Sequence, residues 1–232
     1  MKELLKIENL WKRHGLRAVI RELNLEITEG KIIGLVGDNG SGKTTLLKMI
    51  AGLQHPSEGN ITIAGKKVGL ETKKIVSFMS DRPVFNEWMT VKDAIFFYRD
   101  FYQDFEIQKA VDAIAEFKIP LEEKIKALSK GMIEKLQLIL TFSRKAKLYI
   151  LDEPLGGIDP VSREHVLELI LQFYREDCTI FISTHLIGEI ENIFDEVIFL
   201  KDGEIVLHEN VEELRFQREK AVNELFKEVF GR

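Results

Sequence analysis

The sequence predicts an α/β fold with a mostly parallel central sheet and an inserted helical segment. Short apolar runs with the length of buried strands alternate with helical segments, beginning with residues 32–36 and the helix at residues 43–50. From residue 91 to about residue 143 the apolar spacing is helical, and strand-like runs then return at residue 148. We therefore expect one domain over residues 1–232 with a helical insertion at about residues 87–144.

The chain opens with a predicted N-terminal antiparallel β part. Residues 4–7 and 18–27 carry apolar side chains at alternate positions, and the Glu29-Gly30 turn separates them from the first buried strand. Gly52 is expected to end the helix that follows this strand. The remaining predicted elements are, in chain order, a strand within residues 59–65, strands at residues 148–151 and 179–183 with a helix at residues 160–173 between them, and a hairpin at residues 197–207.

Composition and charge exclude several classes of protein. The net charge of -5 argues against a general polyanion binder, so no nucleic-acid partner is expected. No apolar run approaches the ~20 residues of a membrane span, and the N-terminus lacks the pattern of a signal peptide. Cys178 is the single cysteine and is interpreted as a core thiol. We expect a cytoplasmic protein whose membrane role comes through a partner.

The strongest chemical signal is a glycine-rich segment that fits the pattern G-x-x-x-x-G-K-[ST]. It lies between a predicted buried strand and a helix, where backbone N–H groups and the helix N-terminus can cradle phosphate oxygens. Lys43 would bridge β- and γ-phosphates, and the Thr44 hydroxyl would ligate Mg²⁺. The predicted binding residues are Gly37, Asp38, Asn39, Gly40, Ser41, Gly42, Lys43, Thr44 and Thr45.

A second signal is a pair of adjacent acids, Asp152 and Glu153, at the end of the apolar strand at residues 148–151. Two neighbouring carboxylates at a strand end are costly to hold together unless a cation shares the site. Asp152 is expected to hold Mg²⁺, and Glu153 to polarise an attacking water. Alone this pair is a weak signal, but with the phosphate loop upstream it becomes strong.

The order of motifs along nearly the whole chain resembles the ATPase subunits of ABC transporters. The resemblance implies a P-loop NTPase fold of the ABC ATPase type, with ATP and Mg²⁺ as cofactors. The motifs that carry it are the glycine-rich loop, Leu128-Ser129-Lys130-Gly131-Met132, Leu151-Asp152-Glu153-Pro154, Gly157-Ile158-Asp159-Pro160 and Ser183-Thr184-His185.

The resemblance also implies a dimer, formed with a second copy or with a homologous ATPase. In this family two subunits pack head to tail, and each signature closes over the ATP of the other subunit. Ser129 and Gly131 would then contact the γ-phosphate across the interface, and His185 would contact it as the switch histidine. Asp159 would order the dimer contact, and Ser129 is also an ordinary helix N-cap.

Four positions, in three motifs, depart from the usual family pattern. His14 stands where the family stacks a tyrosine on adenine, although Trp11 is an alternative. Asp81 stands where a glutamine is usual, and we expect it to contact Mg²⁺ through water. Lys130 and Met132 replace a glycine and a glutamine of the signature, which resembles the branch that serves ABC-2-type exporters.

These features favour an exporter ATPase coupled to separate transmembrane subunits, and the alternative is a non-transport ABC ATPase of the cofactor-assembly type. ABC-2-like membrane subunits are expected to dock at Phe85 and Trp88, in a segment interpreted as an exposed loop. Aromatic residues 97, 101 and 105 have helical spacing and are interpreted as the core of the insertion. The tail at residues 212–232 is interpreted as an amphipathic helix on its own domain, with a regulatory or dimer contact as the alternative.

Overall fold

The computed structural model describes residues 2–218 and 221–231, and in these residues the chain forms two sheets. The smaller sheet is antiparallel and has the strand order β2-β1-β4-β5. Its strands are β1 (Glu3–His14), β2 (Arg17–Thr28), β4 (Glu58–Ile63) and β5 (Lys66–Lys67). The predicted N-terminal antiparallel part is therefore confirmed.

The larger sheet has the order β10-β9-β3-β8-β7-β6, and all its strands are parallel except β10, which is antiparallel to β9. Its strands are β3 (Ile32–Val36), β6 (Val76–Met79), β7 (Leu148–Asp152), β8 (Thr179–Thr184), β9 (Glu196–Lys201) and β10 (Glu204–Asn210). All residues of β3, β7 and β8 are buried, as expected for parallel strands covered on both faces.

Helices cover the sheets. The described helices are α1 (Lys43–Ile50), α2 (Leu70–Lys73), α3 (Val91–Phe101), α4 (Ile107–Glu116), α5 (Lys130–Phe142), α6 (Pro160–Phe173), α7 (Ile187–Ile190), α8 (Val211–Arg218) and α9 (Val222–Phe230). Three of them, α3 to α5, lie within the segment predicted to be helical. None of the helices within residues 2–218 and 221–231 combines the length and the apolar composition needed to cross a bilayer.

Two apolar cores hold these layers together. One core joins the two sheets and the buried side of α1, and the other joins the opposite face of the larger sheet to α3–α6 and the C-terminal helices. Cys178 lies in the second core, where burial raises the pKa of its thiol, so the interpretation as a core thiol is confirmed. The larger sheet is thus fixed on both faces.

The C-terminal helices pack on the chain's own core. Val222, Leu225 and Phe226 of α9 are buried, and the rings of Phe226 and Phe230 stack with centroids 4.2 Å apart. This agrees with the amphipathic interpretation of the tail. Residues 219, 220 and 232 of the predicted tail helix lie outside the described residues.

The interpretation of residues 97, 101 and 105 as the core of the insertion was wrong in part. Phe97 and Phe101 of α3 are exposed, with ring centroids 4.5 Å apart, whereas Phe105, which follows the helix, is half-buried against the core. Helical spacing placed Phe97 and Phe101 on one face correctly, but that face looks outward because Tyr98 fills the interior instead. Phe85 lies in a loop as predicted, but its side chain is half-buried, with ring centroids 6.3 Å apart between Phe85 and Tyr98, so its expected exposure was wrong.

The register of the larger sheet brings several predicted site residues to one edge. The carboxyl ends of parallel strands meet at the same edge, where ligands of open α/β sheets bind. Asp152 at the end of β7 pairs with Ser183 of β8, and Val36 at the end of β3 pairs with Thr184. The loop after β3 therefore begins at the same sheet edge as Asp152 and Glu153, with β8 between the two strands.

Candidate active site

The phosphate loop, residues 37–44, joins the end of β3 to the first turn of α1. Gly42 is the N-cap of α1 and has φ of 110°, a conformation that favours glycine. A Cβ at this position would lie 2.8 Å from Ile20 Cδ1 and 3.0 Å from the Val19 carbonyl oxygen. The tight turn presents the unpaired N–H groups at the start of α1, an arrangement that favours an anion.

Lys43 is held across the phosphate loop by backbone oxygens. Its side chain is 6% exposed, and its Nζ donates to the carbonyl oxygens of Gly37 at 2.7 Å and Asp38 at 3.2 Å. The Glu153 carboxylate lies 3.5 Å from the same ammonium. The cation is therefore fixed at the loop, where it can attract phosphate oxygens.

Asp152 is fully buried beside the Thr44 hydroxyl. Its Oδ1 accepts from Thr44 Oγ1 at 3.1 Å and from Ser183 Oγ at 2.6 Å, and its Oδ2 has no hydrogen-bond partner in the described part of the chain. Burial raises the pKa of Asp152, although the two hydroxyl donors oppose this shift. An unpaired carboxylate oxygen next to a hydroxyl is a donor set that suits Mg²⁺.

No cluster of three or more His, Cys, Asp or Glu in residues 2–218 and 221–231 is arranged to hold a metal ion by itself.

Glu153 has a strained backbone and a fixed side chain. Its φ is 53°, in the left-handed region that glutamate adopts rarely, and such strain is concentrated at functional sites. Its N–H donates to the Ser183 carbonyl oxygen at 3.1 Å and to Ser183 Oγ at 3.0 Å. Its Oε2 lies 2.7 Å from His185 Nδ1, so carboxylate and imidazole orient each other.

A cavity of about 490 Å³ opens above the phosphate loop. Its volume is within the range of small-molecule sites, and it brings together residues from five separate segments of the chain. The lining residues are Arg17, Val19, Asn39, Gly40, Gly42, Lys43, Thr44, Thr45, Asp81, Glu153 and His185. Most of the predicted nucleotide, metal and catalytic residues therefore share one cavity.

Other predicted residues lie elsewhere. Gly37, Asp38, Ser41 and Asp152 are next to the cavity without lining it, and Gly37, Asp38 and Asp152 bond to its Lys43 or Thr44. His14 is exposed at the end of β1 and, like Ser129 and Gly131, is not among the described residues that line the cavity. The roles predicted for these three residues stay predictions.

The signature segment forms a second surface. Ser129 is the N-cap of α5 and accepts from Met132 N at 3.2 Å, which confirms the N-cap interpretation. A Cβ on Gly131 would lie 2.6 Å from Ser162 Oγ, and this hydroxyl donates to Asp159 Oδ2 at 2.7 Å. The signature and the segment around Asp159 therefore meet at the N-termini of α5 and α6.

Sequence reasoning missed four residues of this region. Ser183 could have been found from strand register, because it stands opposite Asp152 in neighbouring parallel strands. Arg17 and Val19 carry no local motif, since only the packing of β2 brings them to the cavity. Glu134 is buried in α5, where desolvation raises the pKa of its carboxyl to about 7.

Comparison with known proteins gives the same family as the motif order. A family model described as ABC transporter matches residues 20–156. The lantibiotic transport ATP-binding protein SrtF of Streptococcus pyogenes is 31% identical over 229 residues, covering 91% of this chain and 95% of SrtF. The linearmycin resistance ATP-binding protein LnrL of Bacillus subtilis is 29% identical, covering 88% of this chain and 68% of LnrL.

A solved structure of the ATP binding subunit of an ABC transporter has the same fold, with a TM-score of 0.87 at 26% identity. The match covers 98% of this chain and 99% of that chain. Fold, motif order and sequence similarity therefore agree, and the chain belongs to the ABC transporter family, as an ATP-binding subunit with ATPase activity.

Proposed function

We propose that residues 1–232 form one ATP-binding domain, with a helical insertion at about residues 87–144, that works as a head-to-tail dimer driving export through separate membrane subunits. One observation carries the proposal. The phosphate loop and the signature lie in one chain, yet Ser129 and Gly131 are not among the described residues that line the cavity around Lys43. A second subunit can supply the missing contacts.

Mg²⁺ fits the residues around the phosphate loop. The Thr44 hydroxyl and the unpaired Oδ2 of Asp152 would hold it, with Asp81 on the cavity wall acting through water. When bound, the ion neutralises charge on the β- and γ-phosphates. Lys43, held by backbone oxygens of the same loop, contributes a second positive charge.

Glu153 and His185 supply the proton chemistry of hydrolysis. Glu153 accepts a proton from the water that attacks the γ-phosphorus, and the bond from phosphorus to the leaving ADP oxygen breaks. Its Oε2 contact to His185 Nδ1 holds the carboxylate toward the cavity. The buried Ser183 fixes both acids, because it bonds to Asp152 Oδ1 and to the Glu153 N–H.

Export is supported by the signature and by the names of the relatives. Lys130 and Met132 resemble the branch that serves ABC-2-type exporters. One relative is named for lantibiotic transport and the other for linearmycin resistance, which is consistent with outward movement of a toxic compound. The cytoplasmic location, on the inner face of the membrane, follows from this function.

A groove between the α/β core and the helical insertion is the proposed docking site for the membrane subunit. It has a volume of about 400 Å³, and Val84 and Phe97 line it together with Val76 and Phe78 of the core. Trp88, on the same connecting segment, is 68% exposed. The docking site that we propose therefore includes Trp88 and the region predicted around Phe85 and Trp88. Phe85 itself packs against Tyr98 and is not assigned a contact with the membrane subunit.

The dimer is tested by placing a large cation at the signature. Ser129→Arg should leave ATP binding to the monomer intact, because Ser129 does not line its own cavity, and should block ATP-dependent dimerisation. Analytical ultracentrifugation with MgATP, in a Glu153→Gln background that stops turnover, measures both states.

The matched control for this experiment is Leu171→Arg, which adds the same charge at an exposed position near the far end of α6. It should dimerise like the parent protein. A Ser129→Arg protein that still forms the ATP-bound dimer would refute the head-to-tail arrangement.

A further inference from the structure

The cavity above the phosphate loop is lined by residues from both sheets. Glu153 and His185, which follow adjacent parallel strands of the larger sheet, line it together with Asp81. Arg17 and Val19 of β2, which belongs to the smaller sheet, line it too. With the phosphates assigned to the phosphate loop and the γ-phosphate to Glu153, Arg17 and Val19 are the lining residues of the described chain that remain for the base.

Strand β2 is linked to the phosphate loop through Gly203 and packs closely against Gly42. The Arg21 N–H donates to the Gly203 carbonyl oxygen at 3.0 Å, and the Gly203 N–H donates to the Ser41 carbonyl oxygen at 3.1 Å. The Val19 carbonyl oxygen is so close to Gly42 that a Cβ there would lie 3.0 Å away. Side chains two residues apart in a strand share a face, so Arg17 extends the wall begun by Val19.

Arg17 lines the cavity, whereas the histidine predicted to stack on adenine does not. His14 lies opposite Arg17 in the β1–β2 pair, but β2 is the edge strand beside the loop and β1 lies behind it. Only Arg17 of this pair lines the cavity. Within the described residues its guanidinium has no hydrogen bond or ion pair, and no Phe, Tyr or Trp ring lines the cavity.

We propose that Arg17 is the nucleobase platform of this ATPase, its planar guanidinium stacking on the purine ring. A guanidinium is flat and weakly hydrated, and it stacks on π systems in the way an aromatic side chain does. Stacking of this kind tolerates different bases, because every base has a π face. The inference rests on the proposed nucleotide function and adds a base-binding residue to it.

The test compares MgATP with magnesium tripolyphosphate, which has the phosphates and no base. Arg17→Ala should weaken MgATP binding about tenfold and change tripolyphosphate binding less than twofold, measured by calorimetry at about 0.15 M ionic strength. Arg17→Tyr, which keeps a flat π surface, should restore ATP affinity, and Arg17→Lys, which keeps only the charge, should not. His14→Ala should weaken ATP binding less than Arg17→Ala.

Leu16→Ala, at the exposed tip of the same hairpin, controls for disturbance of the turn and should bind like wild type. Equal loss of both ligands in Arg17→Ala would mean a phosphate contact and overturn the inference, as would unchanged ATP affinity. If wild-type protein bound neither ligand, the nucleotide site itself would be overturned, and the Arg17 assignment with it.

Discussion

Glu134 lies in the second turn of α5 and is 5% exposed. Burial raises the pKa of this carboxyl to about 7; Lys130 opposes the rise, and Asp81 adds to it. The folded protein therefore holds a proton on Glu134 at pH values where an unfolded chain, with a pKa near 4.5, has released it. Because the folded state binds more protons in this window, the free energy of unfolding falls as pH rises from 4.5 to 7.

Glu134→Gln should remove this pH dependence. The amide cannot ionise, so the variant should gain stability relative to wild type as pH rises from 5 to 8, by up to about 3 kcal/mol. Urea unfolding at several pH values measures the difference. Glu122→Gln is the matched control, because Glu122 is exposed and this substitution removes the same charge. If the free energies of unfolding of wild type and Glu134→Gln differed by the same amount at every pH in this range, the raised pKa of Glu134 would be contradicted.

Individual site residues were predictable where a local pattern carries the chemistry. Lys43 and Thr44 follow from spacing within one loop, and Asp152 and Glu153 follow from the end of an apolar strand. Arg17 and Glu134 were not predictable, because their roles depend on which surfaces β2 and α5 approach in three dimensions. A lone arginine near a turn, or a glutamate in a helix, is usually solvated.

At the scale of elements, the aromatic side chains of α3 fall into a buried group and an exposed group. Tyr98 is buried among Phe85, Tyr102 and Phe105, whereas Phe97 and Phe101 form an exposed pair on the same helix. An exposed aromatic cluster beside an apolar groove is typical of an interaction site. This is why we place the membrane subunit at the groove lined by Val84 and Phe97.

Replacing Trp88 and Phe97 with serine should weaken co-purification with the membrane subunit from native membranes. Both side chains are exposed, so the change should leave ATP affinity and the melting temperature close to wild type. Phe216→Ser is the control, because this exposed phenylalanine lies on α8, away from the groove. Undiminished co-purification of the double variant would rule out docking at this surface.

The first residue of a helix was predicted correctly where the sequence carries a clear N-terminal signal. α6 begins at Pro160 after the N-cap Asp159, whose side chain accepts from Ser162 N, and α1 begins at Lys43 directly after a glycine-rich loop. The outward face of α3 was not predictable, because helical spacing shows that Phe97 and Phe101 share a face without showing which way it points. The division of the tail into α8 and α9 was missed for lack of a proline or glycine signal between them.

At the scale of the whole molecule, the phosphate loop and the signature lie on different elements. The phosphate loop follows a strand of the larger sheet, while the signature lies at the N-terminus of α5, next to the N-terminus of α6. The side chains of Lys43 and Ser129 are each held by hydrogen bonds within the chain. In the dimer that we propose, ATP would join two copies as one ligand that both surfaces contact.

The central claim is that ATP on the phosphate loop is hydrolysed by water that Glu153 activates, and Glu153→Gln tests it most directly. The amide keeps the shape of the side chain but cannot accept the proton, so steady-state phosphate release should fall by about 10²- to 10⁴-fold. MgATP affinity, measured by calorimetry, should stay close to wild type, because Lys43, Thr44 and Asp152 are unchanged. Phosphate release near the wild-type rate would contradict the account.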